Sequence, residues 1–344
     1  MKRSIYKFMT TILLSLSAFA STGSAYAARD VTDDIDTDAK ARSKLIQSYL
    51  LTHNYTALDK MADQLRASKA QYPDGNWKLD YFYGGLYNNR PTWQMSSEEW
   101  LPLMKQTSEW VKARPKSVTA KISYAAILIN YAWAARGGGY ADSVSKDAWA
   151  AMQQREQAAV SILNDARKLP ATCPRWWYYV LYIGKDQSYP NDFVDKLLAE
   201  AKAKYPTYRK VCFIHAAALD PRWGGNDGDV ERYAESSANA YGGDTVYAQV
   251  LWWMDALPWY RGSNVIQELH FNSARAEKGF EALLKQYPNS LSVISEYSRI
   301  ACLSGDYAKA KSLFKTLNGR LDPHVYYQPE EFDHFHDTAF GSGG

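Results

Sequence analysis

Residues 96–139 read SSEEWLPLMKQTSEWVKARPKSVTAKISYAAILINYAWAARGGG, two helices in succession with the signals that end each one. A capping box at Ser96-Ser97-Glu98-Glu99 starts the first helix, and Arg114-Pro115 ends it. The second helix starts near Ser117. It ends at Gly137-Gly138-Gly139, because glycine readily adopts the left-handed conformation that terminates helices. The stretch therefore predicts an antiparallel helical hairpin.

The same pattern recurs along the chain, with helical apolar spacing over residues 37–318 and no signal for a β-hairpin. Helices are expected to end before the prolines of Tyr72-Pro73, Leu169-Pro170, Tyr205-Pro206 and Tyr287-Pro288. The predicted pairs are 37–51 with 55–71, 97–113 with 118–136, 145–169 with 175–184, 191–205 with 208–220, 229–241 with 244–257, and 273–287 with 290–304. A closing helix is predicted over 306–318.

The final pair carries the clearest repeat signal. Gly305-Asp306-Tyr307 is followed by Ala310, Phe314 and Leu317, and this spacing resembles a tetratricopeptide repeat. Gly305 can stop one helix, Asp306 can cap the next, and Ala310 permits close crossing of helices. We therefore expect an all-α fold, a tetratricopeptide-like solenoid of antiparallel helical hairpins.

Two further motifs resemble an uncharacterised bacterial family. Residues 131–141, YAWAARGGGYA, and residues 221–225, PRWGG, are similar to the signatures of domain-of-unknown-function family four thousand and thirty-four, and the resemblance extends over roughly residues 40–320. It implies a tetratricopeptide-like helical fold and brings no assigned activity, substrate or catalytic residue.

The first 27 residues are typical of a cleaved secretory signal: Lys2, Arg3 and Lys7 precede an apolar run that ends at Ala25-Tyr26-Ala27. The expected location is periplasmic or secreted, without membrane insertion after cleavage. The remaining chain is divided into one solenoid domain over 28–320 and an acidic, histidine-containing tail over 321–344. Helix content and export together define the class of protein but not its reaction.

The net charge of the chain disfavours one class of partner, nucleic acid. The sequence has 40 basic and 37 acidic residues, and the three basic residues of the signal leave 37 of each sign. A balanced chain without a basic run disfavours binding to nucleic acid. Cys173, Cys212 and Cys302 are widely spaced and are expected to be small apolar core residues, although one disulfide is chemically open to them.

The two glycine-rich loops are the candidate ligand site. Glycine runs can leave backbone amides free, and a neighbouring arginine could add a bidentate contact to a carboxylate. The alternative is that both loops are tight turns locked by stacking. Both follow the second helix of a predicted hairpin, so they are expected on one rim. The candidate residues are Trp133, Arg136, Gly138, Tyr140, Arg222, Trp223 and Gly225.

No motif predicts a cofactor, a metal or a catalytic residue. Asn226-Asp227-Gly228-Asp229 lacks the spacing of a calcium loop and is expected to cap a helix. His334 and His336 lie among carboxylates near the end of the chain, where a solvated, mobile tail is expected, with weak zinc binding at most. The adjacent aromatics Trp176-Trp177-Tyr178-Tyr179 cannot all point inward on one helix, so some are expected at a binding surface; the alternative is that these large rings fill gaps between helices.

These features favour an exported binding or scaffolding module for a protein or peptide segment, or for a component of the cell envelope. The alternative is a glycan-active hydrolase or lyase of the peptidoglycan type, which needs two carboxylates in one cleft. Asp255, Glu268 and Glu296 are the acids with apolar or aromatic neighbours that could supply them. A purely structural or secretion-accessory protein would differ by lacking a groove.

The signal predicts a defined mature terminus. Mass spectrometry of the exported protein should find a chain that begins at Ala28, because Ala25 and Ala27 supply the small residues that signal peptidase requires. An exported chain that still carries Met1 would contradict this.

Overall fold

The computed structural model describes residues 34–88, 90, 95–137, 139 and 141–341. The predicted signal, residues 1–27, lies outside them. Within these ranges the chain forms sixteen α-helices and no strand, apart from one isolated bridge between Gln71 and Trp77. The all-α prediction is confirmed.

The helices follow each other with short connections. In chain order they are α1 Asp34–Leu51, α2 Tyr55–Ser68, α3 Lys78–Gly85, α4 Ser97–Ala113, α5 Val118–Arg136, α6 Lys146–Arg167, α7 Arg175–Asp186, α8 Asn191–Lys204, α9 Lys210–Ala218, α10 Asp229–Tyr241, α11 Gly243–Asp255, α12 Val265–Glu268, α13 Ser273–Gln286, α14 Leu291–Ser304, α15 Tyr307–Leu317 and α16 Pro329–Phe340.

The hairpin of α4 and α5 has the predicted bounds, because its local signals act as expected. The Glu99 carboxylate accepts a hydrogen bond from the Ser96 amide at 2.9 Å. The Ser117 hydroxyl accepts one from the Ala120 amide at 2.9 Å and starts α5. Gly137, at φ 76°, ends it.

Helix α3 was not predicted. It follows a tight turn at residues 72–76, where the Tyr72 amide donates to the Asn76 carbonyl. The segment reaches far along the chain: Gln71 Nε2 and Trp77 Nε1 both donate to the Thr207 carbonyl, at 2.8 and 3.0 Å. Gln249 Nε2 donates to the Pro73 carbonyl at 3.0 Å. The connection between α2 and α3 therefore packs against α9 and α11, and α1 also contacts α14.

Asp80 of α3 is the hub of this packing. Its carboxylate is buried and accepts hydrogen bonds from Arg175 Nη1 at 2.8 Å, from the Tyr208 hydroxyl at 2.5 Å and from the Trp77 amide at 3.0 Å. Arg175 is the first residue of α7 and Tyr208 precedes α9. One carboxylate thus joins three helices that are distant in sequence.

The aromatic run of α7 differs from the expectation. Trp176, Trp177, Tyr178 and Tyr179 are all buried. Helix α7 contacts α5, α6, α8 and α9, so neighbours on several sides bury all four rings, although Trp176 also lines a cavity between α6, α7 and α8. The expectation is wrong because it allowed for one buried face, whereas α7 packs against helices on several sides.

The expectation of a solvated tail is wrong. Residues 329–340 form α16, which packs on α14 and α15 and buries Phe332 and Ala339. Glu331 accepts from Arg299 Nη1 at 2.8 Å, and the His336 ring stacks on Phe340 at 4.4 Å between centroids. The described residues contain no group of three or more His, Cys, Asp or Glu side chains arranged to hold a metal.

Two remaining features concern cysteine and the membrane. Cys173, Cys212 and Cys302 are free and buried, as the reading of them as core residues predicts. None of the helices in the described parts of the chain is both long and apolar enough to cross a bilayer.

Loss of the Asp80 carboxylate should be costly. Asp80→Ala leaves the Arg175 guanidinium buried without its counter-charge, and we expect a loss of about 3–5 kcal/mol in unfolding free energy. The measurement is urea denaturation. Asp192→Ala is the control, because it removes one side of the Lys196–Asp192 ion pair, in which both side chains are exposed, and should cost below about 1 kcal/mol. Similar losses in both variants would contradict a hub at Asp80.

Candidate functional site

The two glycine-rich loops meet through their tryptophans. Trp133 lies in the last turn of α5, and Trp223 lies in the 3-10 turn Pro221–Trp223 after α9. Their ring centroids are 5.7 Å apart with planes at 67°, and Trp259 lies 6.3 Å from Trp223. All three side chains are partly exposed. We call Trp133, Trp223 and Trp259 the tryptophan row.

Asp220 fixes the turn that presents Trp223. Its side chain is fully buried and accepts hydrogen bonds from the Arg222 amide at 2.8 Å, from Trp259 Nε1 at 3.1 Å and from the Tyr260 hydroxyl at 2.8 Å. A single carboxylate therefore orients the second and third members of the row. Asp220 was not predicted as a site residue, although an aspartate directly before a proline is a common way to start a turn.

Steric constraints explain why both residues after Trp223 are glycine. Gly224 has φ +97°, which L-residues rarely adopt. A Cβ atom on Gly225 would lie 1.8 Å from the Leu219 carbonyl oxygen. Both positions therefore require glycine, because the chain turns back and passes close to the end of α9.

The expectation that glycine amides face an open space is wrong where they are described. The amides of Gly137, Gly224 and Gly225 donate to the carbonyls of Trp133, Pro221 and Asp220 within their own turns. They are used to close the turns and have no hydrogen left for an anion. Gly138 and Tyr140 lie outside the described residues.

The two arginines differ in role. Arg136 donates to the carbonyls of Gly137 and Gly139 and lies over the rings of Trp133 and Trp149, at 5.4 and 5.3 Å. It locks its own loop, as the packing alternative predicts.

Arg222 is more accessible, with 40% of its side chain exposed. It lies over the Tyr260 ring at 4.6 Å and pairs with Glu268 at 3.2 Å. A ligand carboxylate could compete with Glu268 for this guanidinium.

Below the row lies a lysine that no sequence motif had indicated. Lys185 Nζ is 3.4 Å from the centre of the Trp223 ring, 5.0 Å from that of Trp133 and 5.2 Å from that of Tyr182. Burial lowers the pKa of this ammonium, while neighbouring Asp186 opposes the shift through an ion pair of 2.5 Å. The Lys185 side chain therefore packs beneath the rings of Trp133, Tyr182 and Trp223.

Asp186 and Glu156 form a carboxyl pair next to this lysine. Asp186 accepts from Trp133 Nε1 at 2.8 Å, and Glu156 accepts from Gln187 Nε2 at 2.9 Å. Burial, and then the negative charge of Asp186, raise the pKa of Glu156 to about 8. Glu156 is thus protonated at neutral pH. In the sequence, Glu156 is one of several polar residues of α6. Only its neighbours in the folded chain show that it is buried and that its pKa is raised.

The carboxylates proposed for an enzyme do not share a cleft. Asp255 and Glu296 are fully buried; Asp255 pairs with Arg299 at 2.7 Å. Burial, and then the charge of Asp255, raise the pKa of Glu296 well above its usual range. Glu268 lies apart, at the surface beside Arg222.

The described part of the site presents partly exposed indole rings at the surface. A cavity of about 520 Å³ lies elsewhere, between α6, α7 and α8, and it shares no lining residue with the row. The carboxyl pair beneath the row is sealed, since the Asp186 side chain is 1% exposed and Glu156 is equally buried. What remains accessible is partly exposed indole with one arginine beside it.

Residues 42–177 match a family described as Domain of unknown function (DUF4034). This confirms the resemblance stated for the chain, over a shorter range than expected. Trp133, Arg136 and Glu156 lie inside the match, whereas Lys185 and Trp223 lie beyond it. Comparison with curated proteins and with solved structures finds no match.

The carboxyl pair predicts a dependence of stability on pH. The folded protein holds a proton on Glu156 at pH values where the unfolded chain has released it. The contribution of Glu156 to stability should therefore fall as pH rises from about 4.5 to about 8, on the order of 1 kcal/mol per pH unit, and level off above.

The unfolding free energy of the wild type minus that of Glu156→Gln should show this decline across the range, because the subtraction removes the contributions of other groups with shifted pKa values, such as Glu296 and His215. The same difference for Asp165→Asn, an exposed acid on the same helix, should stay flat. A difference between the wild type and Glu156→Gln that stays flat from about 4.5 to about 8 would contradict the assignment.

Proposed function

We propose that the protein is an exported binding module whose ligand contacts the tryptophan row. The observation that carries this proposal is the contact of Trp133 with Trp223, which joins two distant loops and leaves three indoles partly exposed. Partly exposed tryptophans beside a cation are typical of binding surfaces, because large rigid rings gain contact area at little entropic cost.

The chemistry of the row favours a ligand with an apolar or ring-shaped part and a carboxylate. The indoles pack against the apolar or ring-shaped part of the ligand, and Arg222, at the edge of the row, binds its carboxylate. Both a protein segment and a component of the cell envelope can present such a pair of groups. The chain's balanced charge leaves no long-range attraction, so recognition depends on this local contact.

A glycan-active enzyme is the second candidate, and the Glu156–Asp186 pair is what favours it. One protonated and one ionised carboxyl are the groups that glycoside cleavage uses. Their burial beneath Lys185 and Trp133 argues against direct contact with a substrate. The binding module is therefore the better supported function.

The test uses the mature protein on two supports, insoluble peptidoglycan sacculi and an envelope-protein extract captured on immobilised protein. Trp223→Ala should weaken retention of one ligand class roughly tenfold or more, because a central aromatic anchor is lost. Arg222→Ala should weaken it as well, and its melting temperature should stay near that of the wild type. Tyr307→Ala, which removes an exposed aromatic on α15, is the matched control and should bind normally.

The outcomes separate the candidates. Retention on sacculi points to the envelope component, and capture of a soluble protein points to the protein segment. Release of soluble fragments from sacculi, lost in Glu156→Gln, would favour the enzyme. Equal binding by Trp223→Ala, Arg222→Ala and the control would overturn the proposal and leave the loops as packing devices.

A further inference from the structure

Lys210, the first residue of α9, is a buried cation without a hydrogen-bond partner. Only 9% of its surface is exposed. Its ammonium lies 3.9 Å from the centre of the Trp253 ring and 5.7 Å from that of Tyr178. No described residue accepts a hydrogen bond from it or forms an ion pair with it. A lysine in this position ordinarily needs a counter-charge.

Two more donors near Lys210 lack acceptors. Trp253 Nε1 and Arg175 Nε are buried without a hydrogen-bond partner. The Arg175 guanidinium lies 4.1 Å from the centre of the Tyr178 ring, so Lys210 and Arg175 are neighbours of the same ring. Trp253 Nε1, Arg175 Nε and the Lys210 ammonium are therefore three donors without acceptors in one region.

The nearby acids are already engaged. Asp80 accepts from Arg175, Tyr208 and the Trp77 amide. Asp74 accepts from the Asn76 amide and side chain, and from the Tyr81 hydroxyl. Neither contacts Lys210, although both act on its ammonium from a distance. Burial lowers the pKa of Lys210 to about 8, which still leaves it mostly charged at neutral pH.

We infer that Lys210, with Arg175, Tyr178 and Trp253, forms a binding site for the carboxylate of a small ligand. A carboxylate would accept charge-assisted hydrogen bonds from the ammonium and neutralise it. The faces of Tyr178 and Trp253 would pack against the carbon part of the ligand.

A monoanion suits the site better than phosphate. One ammonium is uncompensated by contact, whereas Asp80 and Asp74 would repel a second negative charge. The site is separate from the tryptophan row, because Lys210 belongs to α9 and none of the row residues contacts its ammonium. The inference therefore does not depend on the proposed function.

The experiment is a pH titration of the mature protein labelled with ¹³C at the lysine ε-carbon, at constant ionic strength set by chloride. It is run alone, with sodium acetate and with sodium phosphate. Without acetate, the Lys210 signal should titrate near 8, and acetate should move its midpoint toward the ordinary value of 10.5. Acetate should also shift the indole N–H resonance of Trp253, and phosphate should have a smaller effect on both.

Lys210→Met assigns the lysine signal and should abolish the acetate effect on Trp253. Lys204→Met is the matched control: Lys204 is exposed, with its ammonium 5.7 Å from the Trp177 ring, and its loss should change nothing at Trp253. Lys210→Arg, which keeps the positive charge and also removes this lysine signal, provides the assignment where Lys210→Met fails to fold.

Three results would overturn the inference: a Lys210 midpoint that acetate leaves unchanged, an acetate effect on Trp253 that survives Lys210→Met, or stronger binding of phosphate than of acetate. None of these bears on the tryptophan row, so failure here and failure of the proposed function are distinguishable.

Discussion

The ion pair between Asp80 and Arg175 is the constraint on which the rest of the structure depends. Both side chains are buried, and neither can lose its partner without a large desolvation penalty. The pair fixes the short helix α3 against the start of α7, and Tyr208 ties the same carboxylate to the start of α9. An array of helical hairpins with contacts only between neighbours would be open and extended. In this chain, the turn at residues 72–76 and its flanking residues instead pack against α9 and α11, more than a hundred residues further along the sequence.

Helix α7 connects this hub to the surface. Arg175 stands at its start, and Lys185 stands ten residues later, about 15 Å along the axis. Tyr178 and Tyr182 lie between them with ring centroids 5.8 Å apart, and Tyr182 lies 6.2 Å from Trp133. The same helix thus takes part in the tryptophan row at one end and in the Lys210 cluster at the other.

Sequence signals predicted the features that depend on residues close together in the chain. Capping residues and prolines gave the bounds of α4 and α5, and the equivalent position of the two glycine loops predicted that Trp133 and Trp223 share a rim. Helix α3 was missed because it is short and depends on the distant partners of Asp80. Glu156 and Lys185 were missed because their charges become unusual only after burial. The glycine amides were misjudged because the Leu219 carbonyl, which makes Gly225 obligatory, is close only in the folded chain.

The packing of α16 bears on how the molecule behaves at high concentration. An array of hairpins ends on an apolar face that would otherwise adhere to another copy, and stacking of such ends produces filaments. Helix α16 places Phe332 against Phe314 of the last hairpin, with ring centroids 5.3 Å apart. Its opposite side carries Glu330, whose charge resists close approach of a second copy. Helix α16 thereby covers the apolar face of α14 and α15 and places a charged surface over it.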